Sequence, residues 1–352
     1  MLDLVSKLKE FNNHKAAPID NVGINSRVLL VDSLNNFIRN FAANSAMNEN
    51  GDHVGGVVGF LKSTGQVARQ FHSTRVICVF DGAGGSQRRR RLFEGYKSNR
   101  RPMEHFNRTY DFKDAAEEKE ALKWQLHLLI DLLEHLPVSV FSLDNIEADD
   151  AIAYLAELTQ QRGGKVTILS TDKDFLQLVN ENCEVYNPIK KKIYDVNTVV
   201  EEYGIHPNNF LLFRMVEGDK SDNIPGVKGV GQATLLKLFP ALRESKQLTI
   251  SDLLDVCHTN EDIIDSSGCK KLLVANENGQ IKLNYQLMEL KDFNISGAVK
   301  LKLIEGFDKS PNELSKYALT RKFGEFRLFS SFTNFDEWCA STWLPLTRFK
   351  DK

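Results

Sequence analysis

Cysteine is scarce in this 352-residue chain, and its positions do not suggest a structural role. The five cysteines are odd in number and far apart, so no close pair indicates zinc and no spacing indicates a disulfide framework. A reducing compartment, the cytoplasm, is the location that this cysteine usage favours.

Long hydrophobic runs are also missing, which argues against a membrane protein. No apolar run approaches the roughly 20 residues that a helix needs to cross a bilayer. Residues 1–25 carry scattered charges and no uninterrupted apolar segment, so they do not form a secretory signal. With 42% apolar and 26% charged residues, the chain has the composition of an ordinary soluble globular protein. It has room for one large domain or two smaller ones.

Three short apolar runs, each followed by acidic residues, give the first indication of the fold. The runs are residues 28–31, 76–80 and 166–169. Helical patterns separate them, which predicts an α/β domain with a mostly parallel sheet. In such sheets the ligand crevice lies beyond the carboxyl ends of the strands. We therefore expect Asp32, Asp81 and Asp172 to face one crevice.

A denser acidic cluster lies at 146–150, between an apolar run and an amphipathic one. Glu147, Asp149 and Asp150 would converge at this strand-to-helix junction. Two carboxylates about 4 Å apart repel by roughly 4 kcal/mol at an effective dielectric constant near 20, so such a cluster favours a multivalent cation. The alternative is that Asp149 caps the helix and its neighbours interact with the positive end. Acidic residues at four junctions favour a shared metal site over turn chemistry.

A basic segment follows the second predicted strand. It contains Arg88, Arg89, Arg90 and Arg91, and then Tyr96, Lys97, Arg100 and Arg101. Such a run is commonly a solvated helix face or a localisation signal. Beside an acidic crevice and with an aromatic residue, it favours contact with a nucleic-acid backbone and one exposed base.

A glycine-punctuated turn at 218–231 joins two predicted helices. Backbone N–H groups at Gly229 and Gly231, near a helix N-terminus, can bind a phosphate without reading sequence. Asp219 and Asp222 add two carboxylates at the start of this turn. Beyond residue 240, the spacing of the aromatic residues is that of a packed core.

Together these motifs resemble the flap endonuclease and 5′-to-3′ exonuclease family. The motifs that match, in family order, are Val-Asp at 31–32, Phe-Asp-Gly at 80–82, Tyr-Lys-Ser-Asn-Arg at 96–100, Glu-Ala-Asp-Asp at 147–150, Ser-Thr-Asp-Lys-Asp-Phe at 170–175 and Gly-Asp-Lys-Ser-Asp-Asn-Ile-Pro-Gly-Val at 218–227. The family includes the 5′-nuclease domain of bacterial DNA polymerase I and the stand-alone enzymes of tailed phages, among them phage ribonuclease H. Because no polymerase motifs accompany these, we expect the chain to resemble the phage-type stand-alone enzymes more than the polymerase domain. The motifs cover about 27–239.

The resemblance implies a domain plan. Residues 1–26 would be an N-terminal extension, and 27–206 a PIN-like nuclease domain with a helical arch at about 87–123. Residues 207–352 would form a helical DNA-binding domain, with a helix-hairpin-helix (a helix-three-turn-helix) at about 208–239.

It also implies roles for individual residues. Those that would hold or surround the first Mg²⁺ are Asp32, Asp81, Glu147, Asp149, Asp150 and Asp172. The second ion would lie at Asp174, Asp219 and Asp222, with Asp172 near both ions and essential for catalysis. Lys97 and Arg100 would contact the scissile phosphate, and Tyr96 would stack on a terminal base. Other DNA contacts would come from Arg88, Arg89, Arg90, Arg91, Arg101, Gly226, Lys228, Gly229 and Gly231. The turn can bind K⁺ in the family.

The implied activity is phosphodiester hydrolysis near 5′ ends with two Mg²⁺ ions, for which Mn²⁺ substitutes. Without an apparent Ser/His/Asp set, no covalent intermediate is expected. The substrates would be flaps, nicked duplexes with a 5′ single-stranded end, or RNA primers, with RNA–DNA hybrids as a further candidate. Single-strand-binding protein and a sliding clamp are candidate partners of the expected monomer, in the host bacterial cytoplasm if a phage encodes it. A small PIN-type ribonuclease and a non-catalytic binder of branched DNA are the alternatives.

Overall fold

The computed structural model describes residues 23–99, 106–290 and 295–349. Its centre is a six-stranded sheet in the order β3-β2-β1-β4-β5-β6. The strands are β1 Arg27–Asp32, β2 Arg75–Asp81, β3 Ser139–Leu143, β4 Lys165–Leu169, β5 Cys183–Asn187 and β6 Lys192–Tyr194. The first five strands are parallel, and β6 pairs with β5 as an antiparallel hairpin. The predicted mostly parallel sheet is therefore confirmed.

Helices surround the sheet and form most of the chain after it. They are α1 Ser33–Ala43, α2 Gly55–Gln70, α3 Gln87–Leu92, α4 Ala115–Leu133, α5 Ala148–Gln161, α6 Val196–Tyr203, α7 Phe210–Glu217, α8 Gln232–Leu238, α9 Ile250–Thr259, α10 Ser267–Glu277, α11 Gln280–Met288, α12 Gly297–Asp308, α13 Lys316–Glu325 and α14 Phe335–Trp338. Short 3₁₀ helices include Lys173–Leu178, directly after β4. The predicted helical C-terminal region is confirmed.

The strand order reverses between β1 and β4. The chain runs outward from β1 through β2 to β3, then returns to place β4 on the other side of β1. The loops that leave the carboxyl ends of β1 and β4 therefore turn away from each other and open a crevice there. Asp32 is the last residue of β1, so it lies at this switch point.

Two apolar layers cover the two faces of the sheet, because alternate residues of β1 point in opposite directions. Val28 and Leu30 contribute to a layer that extends through α5 and α7 into the C-terminal helices. Leu29 and Val31 contribute to the other layer, which contains α1, α2, α4 and the C-terminal aromatic residues. The aromatic rings near the C-terminus pack around Phe323, as their spacing predicted.

All five cysteines are buried, and none of them forms a disulfide. Cys78 and Cys339 lie in the layer beneath α1 and α2, whereas Cys183, Cys257 and Cys269 lie in the opposite layer. In the part of the chain described above, no helix is both long and apolar enough to span a membrane.

Several expectations fall outside the described residues or are only partly covered by them. Residues 1–22 of the predicted extension are not described. The predicted arch at 87–123 includes α3 and the first half of α4, but 100–105 are not described, so Arg100 and Arg101 have no structural account. The second half of α4 is core, since Leu129, Leu132 and Leu133 are fully buried.

Candidate functional site

A chain of hydrogen bonds sets Asp32 beside Asp172 at the switch point. The Ser170 hydroxyl donates to Asp32 Oδ2 at 2.7 Å and accepts the backbone N–H of Asp172 at 3.0 Å. Asp172 caps the 3₁₀ helix that follows β4, where its Oδ1 accepts the backbone N–H of Asp174 at 2.8 Å. The two strands at the reversal thus each deliver a carboxylate to the same crevice, as the sequence predicted.

The pKa values of these carboxyl groups show that the crevice is rich in negative charge. Burial raises the pKa of Asp32 to about 6, and the nearby Asp81 adds to the shift. Burial raises the pKa of Asp172 to about 7, with further contributions from Asp174 and Asp32. Burial and the charges of Asp172 and Asp32 hold the pKa of Asp149 well above its ordinary value. Nearby like charges destabilise one another's ionised forms.

Asp174 and Asp219 lie next to this group and share a buried cation, Arg214. This arginine is 0% exposed; its Nε donates to Asp174 at 2.5 Å and its Nη2 donates to Asp219 at 2.5 Å. Its Nη1 donates to Glu217 and to the carbonyl of Gly218. Burial raises the pKa of Asp174 although Arg214 opposes the shift.

Glu147 and Asp150 are placed differently from the other carboxylates. Arg89 donates to both oxygens of Asp150 at 2.7 and 2.8 Å and to Glu147 at 2.5 Å. Burial raises the pKa of Glu147, but Arg89 and Lys97 outweigh it and leave that pKa below its ordinary value. Both oxygens of Asp150 therefore bind an arginine, which corrects the expectation that Asp150 holds the first Mg²⁺ directly.

Two of the predicted DNA contacts are buried, which corrects a second expectation. Arg89 is 2% exposed because it is enclosed with Glu147 and Asp150, so it does not face a DNA backbone in this structure. Tyr96 is 3% exposed, and its hydroxyl donates to Glu147 at 3.1 Å. Its ring is therefore not presented for stacking on a base. Arg90 and Arg91 are exposed, whereas Arg88 is half-buried.

Lys97 reaches the acidic crevice from the basic segment. Its Nζ lies 2.6 Å from Glu147 Oε1 and 4.0 Å from Asp222 Oδ2. Burial lowers the pKa of Lys97, but the charges of Glu147 and Asp222 outweigh that effect and raise the pKa above its ordinary value. Its backbone is left-handed, with φ of 56°, a conformation uncommon for residues other than glycine. Such conformations cluster at functional sites.

The donor chemistry of the crevice fits a hard divalent cation, because every candidate ligand is a carboxylate oxygen. Besides burial, the charges of neighbouring carboxylates raise the pKa values of Asp149 and Asp172, and a bound cation would relieve that repulsion. Among the residues that the structure describes, however, no three acidic, histidine or cysteine side chains are positioned to hold one ion together. The residues therefore fit divalent ions by the chemistry of their donor atoms and by their closeness to one another.

The glycine-punctuated turn between α7 and α8 has a packed part and an exposed part. A Cβ on Gly226 would lie 2.0 Å from the Glu217 carbonyl oxygen, so this half-buried glycine allows close packing against α7. Lys228, Gly229 and Gly231 are exposed. Gly229 has φ of 79°, which favours glycine.

Sequence reasoning missed Arg214, Ser170 and Asn223. Arg214 carried a signal, because it is a charged residue inside the apolar run 210–216, just before Asp219. Ser170 and Asn223 lie within the matched motifs at 170–175 and 218–227, but nothing in the sequence indicated which groups their side chains would bond.

Comparison with known sequences also finds nucleases as relatives of this chain. Residues 27–204 match the family model described as 5′-3′ exonuclease, N-terminal resolvase-like domain. The chain is 32% identical over 183 residues to a 5′-3′ exonuclease of Aquifex aeolicus, covering 52% of this chain and 58% of that protein. A 5′-3′ exonuclease of Buchnera aphidicola subsp. Schizaphis graminum is 32% identical over 223 residues, which are 63% of this chain and 72% of that protein. The thermostable DNA polymerase I of Thermus thermophilus is 35% identical over 214 residues, 60% of this chain and 24% of that one.

The fold is also that of a solved nuclease. A crystal structure of the bacteriophage T5 flap endonuclease superposes with a TM-score of 0.60 at 17% identity, and the match covers 87% of this chain and 99% of that one. The PIN-like nuclease fold expected from the sequence is thereby confirmed. Because the family model spans half of this chain and a 32%-identical relative is covered over 72% of its length, the chain belongs to the 5′-3′ exonuclease family.

Proposed function

We propose that this protein is a structure-specific 5′ nuclease that hydrolyses phosphodiester bonds near the 5′ ends of flaps, nicked duplexes or RNA primers. The observation that carries the proposal is the group of buried carboxylates at the strand reversal, where Ser170 links Asp32 to Asp172 by hydrogen bonds. Burial, together with the charges of Asp172 and Asp32, raises the pKa of Asp149. The T5 enzyme of similar fold was crystallised in a complex with DNA and metal ions, which supports a metal-dependent reaction on DNA.

Two divalent ions, Mg²⁺ by preference with Mn²⁺ as a substitute, are the proposed cofactors. The proposed ligands of the first are Asp32, Asp81, Glu147, Asp149 and Asp172, and those of the second are Asp174, Asp219 and Asp222. When bound, such a pair supplies a nucleophilic hydroxide and stabilises the leaving oxygen. Asp150 is proposed to act indirectly, by holding Arg89 against Glu147.

The chain's own contribution to the reaction centres on Lys97. Its ammonium group lies between Glu147 and Asp222 and so can move a short distance to a phosphate bound over the carboxylates. A preorganised cation there stabilises the charge that grows on the phosphate oxygens. Glu147 holds the ammonium group in place until the phosphate arrives.

The proposed DNA contacts lie on either side of the crevice. Arg90 and Arg91 on α3 can contact the backbone of a single-stranded 5′ end, and Lys228 with the exposed glycines of the turn can hold duplex. We propose K⁺ at this turn, bound by backbone carbonyls. Cleavage of RNA–DNA hybrids, a monomeric state and docking to single-strand-binding protein or a sliding clamp remain proposals.

The test is a panel of 5′-labelled flap, nicked-duplex, RNA-primed and single-stranded RNA substrates, each with chelator, Mg²⁺ or Mn²⁺. We expect metal-dependent cleavage of the branched and nicked substrates. Preferential cleavage of single-stranded RNA would favour a PIN-type ribonuclease, and binding without cleavage would favour a non-catalytic DNA binder.

The matched variants are Asp172→Asn and Asp195→Asn. Both residues cap helices, but Asp195 does so at the start of α6, away from the crevice, where asparagine caps equally well. We expect Asp172→Asn to abolish cleavage while duplex binding survives and Asp195→Asn to cleave normally. Cleavage by Asp172→Asn at the wild-type rate would refute the two-metal assignment.

A further inference from the structure

The loop that carries Lys97 and the turn that carries Asp222 are joined by direct hydrogen bonds. The backbone N–H of Lys97 donates to the Asp222 carbonyl at 2.9 Å. The Asn223 side-chain amide donates to the Gly95 carbonyl at 2.8 Å and to the Ser98 hydroxyl at 3.0 Å. These bonds join segments more than 120 residues apart in the sequence, so the Lys97 loop is docked on the turn.

A fourth bond and an apolar contact extend this docking. The Asn99 amide donates to the Lys220 carbonyl at 2.7 Å. Tyr96 packs in a small cluster with Ile224, Leu287 and Met288, separate from the two main layers. The loop at 95–99 is therefore held to the turn at 219–224 by polar groups on one side and by a buried ring on the other.

Asn223 holds the loop while its own backbone is in an uncommon conformation. Its φ is 59°, close to the 56° of Lys97. Asparagine tolerates left-handed backbone better than most residues, and its side-chain amide supplies two donors. Both donors are used on the loop, which places the side chain between Gly95 and Ser98.

We propose that Asn223 is a positioning residue for Lys97, and that through it the turn which grips duplex sets where the lysine lies. The inference rests on the proposed function, because it assumes that Lys97 acts on the scissile phosphate. The position of the turn is passed to the loop through the two Asn223 bonds and the Lys97 N–H. Lysine placement then depends on correct engagement of the duplex next to the cut.

Asn223→Gly tests the side chain without disturbing the backbone, because glycine adopts positive φ freely. Lys191→Gly is the matched control: Lys191 has φ of 51° and lies exposed in the turn between β5 and β6. We expect Asn223→Gly to lower kcat on a nicked duplex by about 10- to 100-fold, since small misplacements of reacting groups cost factors of this size. Duplex affinity should change by less than about twofold, and Lys191→Gly should match wild type.

A double-mutant cycle with Lys97→Ala separates positioning from a structural role. If Asn223 acts through Lys97, Asn223→Gly should cause almost no further loss in the Lys97→Ala background. If the losses of kcat caused by the two substitutions multiply instead, as they do for independent sites, the proposal is overturned. Amide hydrogen exchange at 95–99 should be faster in Asn223→Gly than in wild type, and unchanged exchange would also overturn it.

The outcomes distinguish the inference from the function on which it rests. If Lys97→Ala cleaves slowly but Asn223→Gly cleaves at the wild-type rate, the inference is overturned and the nuclease proposal stands. Wild-type cleavage by Lys97→Ala overturns the role of the lysine and the inference with it. A wild-type protein that leaves every flap and nicked substrate intact overturns the proposed function, while the exchange measurement still tests the docking.

Discussion

Replacing Arg214 by methionine is the most direct perturbation of the acidic crevice. The guanidinium group is fully buried, and it donates to Asp174, Asp219 and Glu217. Methionine has a similar length and no charge, so the substitution leaves the packing volume nearly intact and removes the cation. Asp174 and Asp219 would then face each other without a counter-ion.

The expected loss follows from burial. Removing one partner of a buried ion pair costs about 3–5 kcal/mol, because the remaining charge is left uncompensated. The carboxylates of Asp174 and Asp219 are 19% and 15% exposed, so water offsets little of that cost. Glu217 is 33% exposed and can turn to solvent. We therefore expect the free energy of unfolding to fall by about 3 kcal/mol or more in the absence of divalent ions.

Urea unfolding of wild type and Arg214→Met, with chelator and with Mg²⁺, measures this loss. Mg²⁺ should stabilise the variant more than the wild type, because an ion that binds the folded state adds stability by mass action and can replace the missing charge. Arg327→Met is the control: its pair with Glu49 is exposed at 3.9 Å and is worth at most about 1 kcal/mol. A loss in Arg214→Met no larger than in the control would refute the reasoning.

Three further predictions concern pH, packing and salt. The pKa of Asp172 lies near 7 when folded against 3.8 ordinarily, so the metal-free protein loses stability as pH rises from about 4 through 7. In chelator at pH 8, Asp172→Asn should therefore be more stable than wild type by up to about 4 kcal/mol, and this difference in stability should shrink towards pH 4. Thermal unfolding measures it, and a stability difference that does not change with pH would contradict the prediction. Gly226→Ala should unfold more readily, since its Cβ would overlap the Glu217 carbonyl, whereas Gly231→Ala, in open space, should fold normally; equal melting temperatures would contradict the packing argument. Duplex affinity should fall by about 10³-fold or more between 50 and 200 mM salt if six or more phosphates are contacted, and a flat titration would argue against backbone contacts.

The parts of the fold that depend on local pattern were readable from the sequence. Continuous apolar runs identified β1, β2 and β4, and the acidic residues after them marked one edge of a parallel sheet. This works because burial on both faces and the fixed direction of parallel strands leave few arrangements open.

The sequence did not show which arginine side chains of the basic run point into the protein. Arg88, Arg89, Arg90 and Arg91 are identical in type, yet only Arg89 is buried, enclosed by its ion pairs with Glu147 and Asp150. That choice depends on where α5 begins relative to α3, a tertiary relation that no local pattern encodes. Asp174, the partner of Arg214 on the 3₁₀ helix after β4, was hidden for the same reason.

The buried thiols offer a built-in reporter of how the molecule opens. Burial raises the pKa of Cys78 and of Cys183 to about 12, and these two residues lie beneath opposite faces of the sheet. An alkylating reagent reacts only with an accessible thiolate, so modification at mildly alkaline pH requires local or global unfolding around each sulfur. Comparing labelling rates at the two positions would show whether one side of the protein loosens before the other, with no introduced probe.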